Sequence, residues 1–381
     1  MELNEPYLFG NEFNYLKKCI DNNKLTYGSY INKFENIVKK YLGIKYAIAT
    51  VNCTSSLHIG LKLLGVEKNT EVITTTITFI ASINSIIYNN SSPIFMDVGD
   101  NLNIDTIKTI EFIKYHTFYK NGYSYNKLTR KKIVALMIVH TFGNAVSLDE
   151  LVSICKKRNI SIIEDCAESL GTKYIKGKFN NMHTGTIGRI SCFSFNGNKI
   201  ITSAGGGMIL TNDTMKAKKA RYLINQAKDD PFKFIHNQIG YNYRLSNIHA
   251  AIGFAQFQKL RVFLKRKNNI QKLYLKYFKE IEGIKFINTS NYSKNNYWLN
   301  VICIDNKKFN KNSSYLLKKL NNKNIKARPV WFPNHLQKKF KKYQSFKINN
   351  ASKIYSNCLC LPSSINLTDQ DIYKICNIIH E

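Results

Sequence analysis

No Cys-x-x-Cys occurs in this chain, and its nine cysteines form an odd, scattered set in which Cys358-Leu-Cys360 is the close pair. That pattern excludes a disulfide framework and a zinc site, and makes a reducing cytoplasm the expected location. No apolar run approaches the roughly 20 residues of a membrane span, so no membrane partner is expected. The opening Met1-Glu-Leu-Asn-Glu-Pro6 lacks the basic region and apolar core of a signal peptide. Acidic residues are scarce, 25 against 56 basic, for a formal charge of +31. The lysines are diluted among asparagines and isoleucines over the whole length, with no basic arm or aromatic-interleaved patch. That argues for compositional drift over a nucleic-acid footprint, so nucleic acid is not an expected partner. A positive field does favour an anionic small substrate. There is no internal repeat and no low-complexity linker, and 381 residues with 44% hydrophobic content suffice for two docked domains.

What is present centres on Phe193-Ser-Phe-Asn-Gly-Asn-Lys199 and the following Ile200-Ile-Thr-Ser-Ala-Gly-Gly-Gly-Met208. An apolar strand, Ile190 to Phe195, breaks at Asn196-Gly197 and delivers one lysine before three glycines and the next strand, Met208 to Thr211. A buried ammonium without a partner tends to lose its proton, which suits chemistry that needs a neutral amine, such as imine formation with an aldehyde. The glycines suit a place where backbone approaches something closely. A solvated loop lysine beside a glycine turn fits this stretch equally well, so the rest of the chain has to decide.

Elsewhere strands and helices alternate. The strand Tyr46 to Thr50 runs through Asn52-Cys-Thr-Ser-Ser56 into a helix from Leu57 to Leu64. Free N–H groups, the positive helix end and the hydroxyls of Thr54 and Ser55 make an anion site there, although capping by Thr54 or Ser55 would explain one hydroxyl. Glu71 to Thr76, Pro93 to Asp97, Ile133 to Val139 and Ile160 to Ile163 read as further strands. Ile80 to Tyr88 and Leu148 to Arg158 read as helices, the second capped by Ser147. The polar, tyrosine-rich residues 113 to 131 read as an exposed insertion. Repeated β-α-β with continuous apolar strands implies a parallel sheet covered on both faces, with ligands at the strands' carboxyl ends. His140, Asp165, Glu168 and the anion turn all fall there. Asp165 suits a carboxylate that holds a protonated ring nitrogen, whereas His140 suits a structural role at least as well. Helices from Ile248 to Leu260 and on to about Glu280 follow, then a strand Tyr297 to Ile304, a helix Ser313 to Leu320, and a last helix from Asp369. Two units are expected: residues 1–250, a large α/β domain, and 251–381, a smaller α+β domain.

Three segments, Ile163-Glu-Asp-Cys-Ala-Glu-Ser-Leu-Gly171, Cys192 to Lys199, and Gly240-Tyr-Asn-Tyr-Arg-Leu-Ser-Asn-Ile-His-Ala-Ala251, occur in the order found in one family. Together the chain resembles the sugar-nucleotide aminotransferases of the DegT/DnrJ/EryC1/StrS family, over nearly its whole length. The resemblance implies the fold type I of pyridoxal 5'-phosphate enzymes, with Lys199 carrying the cofactor covalently and Asp165 paired with the pyridine nitrogen. It implies Thr54 and Ser194 as phosphate ligands, Phe79 stacked on the cofactor ring and Glu168 near its phenolic oxygen. Asn242 is implied to reach the cofactor phosphate of a neighbouring subunit, which makes a homodimer with shared sites the expected assembly. Two departures stand out: Cys53 replaces the usual glycine of the phosphate turn, and Ser203-Ala-Gly-Gly-Gly207 lacks a glutamate that many relatives carry.

The activity implied is transfer of an amino group from L-glutamate to the C4 ketone of a nucleotide-linked 4-keto-6-deoxy sugar. Asn196-Gly-Asn-Lys199, the glycine run and Arg328-Pro-Val-Trp331 are similar to the branch acting on UDP-linked N-acetylhexosamines. Arg328, Trp331 and His335 are the expected substrate contacts at the mouth of the site, with Arg244 as the other candidate for the donor carboxylate. A GDP-linked, perosamine-type substrate is the alternative, and a silent binding or regulatory protein on the same scaffold a further one. The related sugar dehydratases replace the cofactor lysine by histidine, and Lys199 argues against them. No metal is expected in the site.

Overall fold

The apolar strands inferred for the large unit line up in one ten-stranded sheet. In this computed structural model, which describes residues 1–279, 281–287 and 290–381, eight strands follow one path. Their order is Tyr46–Thr50, Gly207–Thr211, Ile190–Ser194, Ser161–Asp165, Lys132–Val139, Thr70–Thr75, Ser92–Met96 and Ser345–Phe346. Only Gly207–Thr211 runs against its neighbours on this path. Period-two alternation explains why both faces need cover. Met137 and Val139 pack with Leu57, Leu61 and Ile163 on one face, whereas Leu136 and Ile138 pack with Leu151 and Cys155 on the other. Each such fully buried aliphatic side chain contributes about 1.5–3 kcal/mol, so the strand cannot slip register by one residue.

Three local expectations are corrected. Residues 113 to 131 are not an exposed insertion. Thr117–Lys120 and Tyr123–Asn126 form a hairpin, and Ser124 and Tyr125 pair with Ile133 and Lys132 of the main sheet. Asn121 and Gly122 both take positive φ, the turn that an Asn-Gly pair favours between two strands. Asn126 is buried and donates to Glu71 Oε2 at 2.8 Å and Gln344 Oε1 at 2.6 Å, so its polarity is satisfied inside the fold. Ser147 does not cap the next helix, Asp149–Lys157, which starts without a side-chain cap and has Asp149 and Glu150 in its first turn. The strand expected from Tyr297 begins at Asn300, because Tyr297 has φ near 52° and cannot continue a ladder.

The small unit is a four-stranded antiparallel sheet ordered Ile284–Phe286, Asn300–Ile304, Cys358–Leu361, Arg328–Pro329. Ile302, Ile304 and Leu359 pack with Leu316 and Leu320 of helix Ser313–Asn322, Ile372 and Ile375 of helix Asp369–His380, and Tyr274 of helix Leu260–Phe278. The end expected for that last helix, near Glu280, lies outside the described residues. The expected division at 250 falls inside helix Asn247–Gln258, whose Ala250 and Ala251 share a core with Phe34 and Val38 of helix Ser29–Leu42. Ser345–Phe346 crosses back to edge the large sheet. Among the described residues no helix is long and apolar enough to cross a membrane.

Candidate active site

Because all but one of the strands on this path run the same way, their carboxyl ends gather along one edge. Asp165 ends one of them, Ser194 ends the next, and the strand Tyr46–Thr50 feeds the start of helix Cys53–Leu63. A cavity of about 270 Å³ opens there, lined by Thr54, Phe79, Asp165, Glu168, Ser194, Lys199, Arg328 and Trp331 among others. Eight of the residues expected from the sequence thus share one space. Three do not line it. Ser55 is buried behind the helix start, and Asn242 is exposed on the segment that passes it. His335 turns away, with its Nδ1 2.7 Å from Thr76 Oγ1.

The helix start is capped by neither Thr54 nor Ser55 but by Asn52, whose Oδ1 accepts from Ser55 N–H at 2.8 Å. Both hydroxyls are thereby released from capping, and Thr54 faces the cavity. The glycine run closes the other wall. A Cβ on Gly207 would lie 2.4 Å from the Asn52 carbonyl carbon, so only glycine permits this approach of strand to turn.

Asp165 is 3% exposed, and its carboxyl is held on both oxygens, by Ser82 Oγ at 2.7 Å and Ala167 N–H at 3.0 Å. Burial pushes its pKa up, opposed by those donors and by Lys199. A cationic ring nitrogen beside it would provide the missing counter-charge. Lys199 Nζ lies 4.0 Å from Glu168 Oε1 and 3.9 Å from the centroid of the Trp298 ring. Burial lowers the lysine and raises Glu168, whose Oε2 also accepts from Phe142 N–H at 2.6 Å. Both shifts favour the neutral amine and the neutral acid, the form of lysine that attacks an aldehyde.

Several polar atoms at this cavity are buried without a partner: Asn198 Oδ1, Arg328 Nε and Nη2, and Trp331 Nε1. Buried donors and acceptors are ordinarily satisfied, so a polar ligand fits here. The Arg328 guanidinium sits 4.0 Å above the Trp331 ring, which lies 5.1 Å from Phe79 and 5.9 Å from Phe142. Phe79 is 51% exposed, an apolar plate at the mouth. Arg244 is engaged elsewhere, on the hydroxyl of Tyr27.

His140 is structural. Val146 N–H donates to its Nδ1, which leaves Nε2–H to donate to Glu164 Oε2 at 2.9 Å. Burial raises Glu164, but His140 and the N–H groups of Gly185 and Gly188 outweigh it and hold the carboxylate below its ordinary range. Cys166 completes a close trio of metal-capable side chains with these two, but Glu164 is already occupied by hydrogen bonds. Ser82, Asn198 and Trp298 were missed from the sequence. Ser82 carried a usable signal, three residues after Phe79 on the helix that faces the strand ends, whereas Trp298 carried none.

A lysine amine, a held carboxylate and an anion turn at the strand ends of this fold define a pyridoxal-phosphate-dependent transaminase. The chain belongs to the DegT/DnrJ/EryC1/StrS aminotransferase family, whose sequence pattern matches residues 7–380, and pyridoxal 5'-phosphate is its cofactor. It is 35% identical to GDP-perosamine synthase of Escherichia coli O157:H7 over 99% of this chain and 97% of that protein. It is 28% identical to a UDP-4-amino-4,6-dideoxy-N-acetyl-beta-L-altrosamine transaminase of Campylobacter jejuni over 94% of this chain and 92% of that one. The solved structure of Helicobacter pylori PseC, an aminotransferase involved in the biosynthesis of pseudoaminic acid, matches the fold with a TM-score of 0.88. That match covers 99% of this chain and 97% of the other at 24% identity.

Proposed function

We propose that this chain moves an amino group from L-glutamate to the C4 ketone of a nucleotide-linked 4-keto-6-deoxy sugar. The observation that carries this is the Lys199 amine, lowered by burial, in one cavity with Asp165 and the unpaired guanidinium N–H groups of Arg328. Pyridoxal phosphate, when bound, supplies an aldehyde for imine formation and a ring that takes up the electron pair left at the substrate carbon. Thr54, Ser194 and the helix start would hold its phosphate, and Asp165 would keep its ring nitrogen protonated, a reading supported by their sharing one cavity. Lys199 Nζ would take the proton from the donor α-carbon as general base and release it as general acid within the first half-reaction, and in the second would deliver a proton to the sugar's C4. Arg328 offers two donors to the donor carboxylate or the sugar's diphosphate, both anionic groups that a guanidinium binds well. The same pocket serves both half-reactions in turn.

The sugar carrier has two readings. Asn196-Gly-Asn-Lys199 and Arg328-Pro-Val-Trp331 support a UDP-linked N-acetylhexosamine. A GDP-linked, perosamine-type substrate is favoured by the 35% identity to the Escherichia coli enzyme across nearly the whole chain. A panel of UDP- and GDP-linked 4-keto-6-deoxy sugars with glutamate, read by product mass, tests the proposal. An aminated product one carrier only selects that reading, and none with any of them overturns both.

A further inference from the structure

Behind the cavity a second lysine is sealed into the fold. Lys267, on helix Leu260–Phe278, is 0% exposed and has no carboxylate partner among the described residues. Its Nζ donates to three neutral acceptors: Asn4 Oδ1 at 2.6 Å, Trp298 O at 3.0 Å and Ser363 O at 2.5 Å. Burial pushes its pKa down to about 7. Packing alone does not call for an ammonium here, since an apolar side chain of the same length would avoid the desolvation cost.

Two of the groups that Lys267 holds converge again at one atom. Asn4 Nδ2 donates to Asn198 O at 2.5 Å, and Trp298 Nε1 donates to the same oxygen at 2.6 Å. That carbonyl belongs to the peptide leading into Lys199, and the Trp298 ring also lies under the Lys199 amine. The segment bearing Asn4 is fastened to the small unit by Ser363 N–H to Leu3 O at 2.7 Å and Glu5 N–H to Ser364 Oγ at 3.0 Å. Asn4, Lys267 and Trp298 come from three distant parts of the chain, and together they clamp one peptide plane.

We propose that Lys267 is a positioning residue for transamination: through Asn4 and Trp298 it fixes the Asn198–Lys199 peptide and so places the Lys199 amine in the cavity. The proposal rests on Lys199 being the reacting amine. A misplacement of about 1 Å at a reacting group can cost about 100-fold in rate, so a clamp on the preceding carbonyl is a place where such control can be exerted.

The test compares wild type with Lys267→Met, Asn4→Ala and Trp298→Phe in three measurements. The first is the labelling rate of the Lys199 amine by acetic anhydride in cofactor-free protein, read by peptide mass and normalised to exposed lysines. The second is kcat and KM of the holoenzyme, and the third is melting temperature. Lys267→Met is expected to change Lys199 labelling several-fold and to lower kcat about 10- to 100-fold with KM within about threefold. Asn4→Ala and Trp298→Phe should shift labelling and kcat the same way by smaller factors. A lowered melting temperature with wild-type labelling and kcat would overturn the proposal and leave Lys267 a packing residue. Should Lys267→Met not fold, the other two variants decide by the same readouts. Retained turnover in Lys199→Ala would instead sink the assignment of the reacting amine, which separates the two failures.

Discussion

The Ser82 hydroxyl donates to Asp165 Oδ2 at 2.7 Å, so the carboxylate that ends Ser161–Asp165 is aimed by a helix from a different βα unit. Ser82 in turn lies 2.9 Å from Thr78 Oγ1, which orders the hydroxyl. Removing it leaves a buried carboxyl with one fewer donor, at a cost of about 1–3 kcal/mol. Burial already raises Asp165, and losing Ser82 raises it further, weakening its hold on a protonated ring nitrogen. Ser82→Ala is therefore expected to lower cofactor affinity and kcat by about 10-fold or more, measured by cofactor titration and steady-state kinetics. Unchanged values of both would remove Ser82 from the site.

Residues whose position follows from local pattern were legible in the sequence. Asp165 and Lys199 each sit at or just beyond the end of an apolar strand, where a parallel sheet presents its ligands, and both line the cavity, whereas Ser194 came through the family resemblance. The clamp behind Lys199 was not legible, because Asn4 meets Asn198 across 194 positions and Lys267 meets Ser363 across 96. Nothing in a lysine-rich sequence marks one lysine as buried. His335 was expected beside Trp331 at the mouth, but Asn334 binds the carbonyls of Thr76 and Thr78 and turns the chain, so the next side chain faces Thr76 instead. The hairpin at residues 117 to 126 was hidden by its polar alternation, although its Asn121-Gly122 turn was in plain view.

Arg328 separates binding from packing. Its Nε and Nη2 have no partner, so truncation breaks no hydrogen bond at those atoms, and what it removes is the stacking on Trp331 and the contact with the Cys360 thiol. Arg328→Ala is expected to raise KM for glutamate or the nucleotide sugar about 10-fold or more, with stability lowered by about 1 kcal/mol. Whichever substrate shows the larger KM change is the one the guanidinium meets. An unchanged KM with a large fall in melting temperature would assign Arg328 to the domain junction.

Asp97 ties the C-terminal segment to the large sheet. It accepts from Lys108 Nζ at 2.6 Å and from the N–H groups of Asn349, Asn350 and Ala351 at 2.9, 3.0 and 3.1 Å. Burial would raise its pKa, but Lys108 and the N–H groups of Asn349 and Asn350 prevail and hold it below the ordinary aspartate value. A carboxyl depressed on folding contributes stability above its unfolded pKa and loses it as pH falls through the folded value. Asp97→Asn should thus cost about 2 kcal/mol at pH 7 by urea denaturation, with the gap to wild type closing below pH 4. A gap that stays constant down to pH 3 would show that the charge at Asp97 is not what stabilises the junction.

The last prediction concerns assembly. Asn242 is exposed and lies outside its own chain's cavity. Its neighbour Tyr243 is hydrogen-bonded through its carbonyl to Val51 N–H, beside the anion turn. Around this segment Tyr27, Val51 and Ile239 are 61%, 40% and 81% exposed, an apolar fringe that a second copy of the chain would cover. If Asn242 reaches a partner's cofactor phosphate, a Lys199→Ala subunit paired with an Asn242→Ala subunit has one site with both defects and one with neither. Mixing the two inactive variants should then restore about a quarter of wild-type turnover at statistical exchange, because half the dimers are hybrid and each has one intact site. Tagged subunits and native mass spectrometry would confirm that hybrids form. If they form and turnover stays absent, Asn242 acts within its own chain or not at all, and the shared site is wrong.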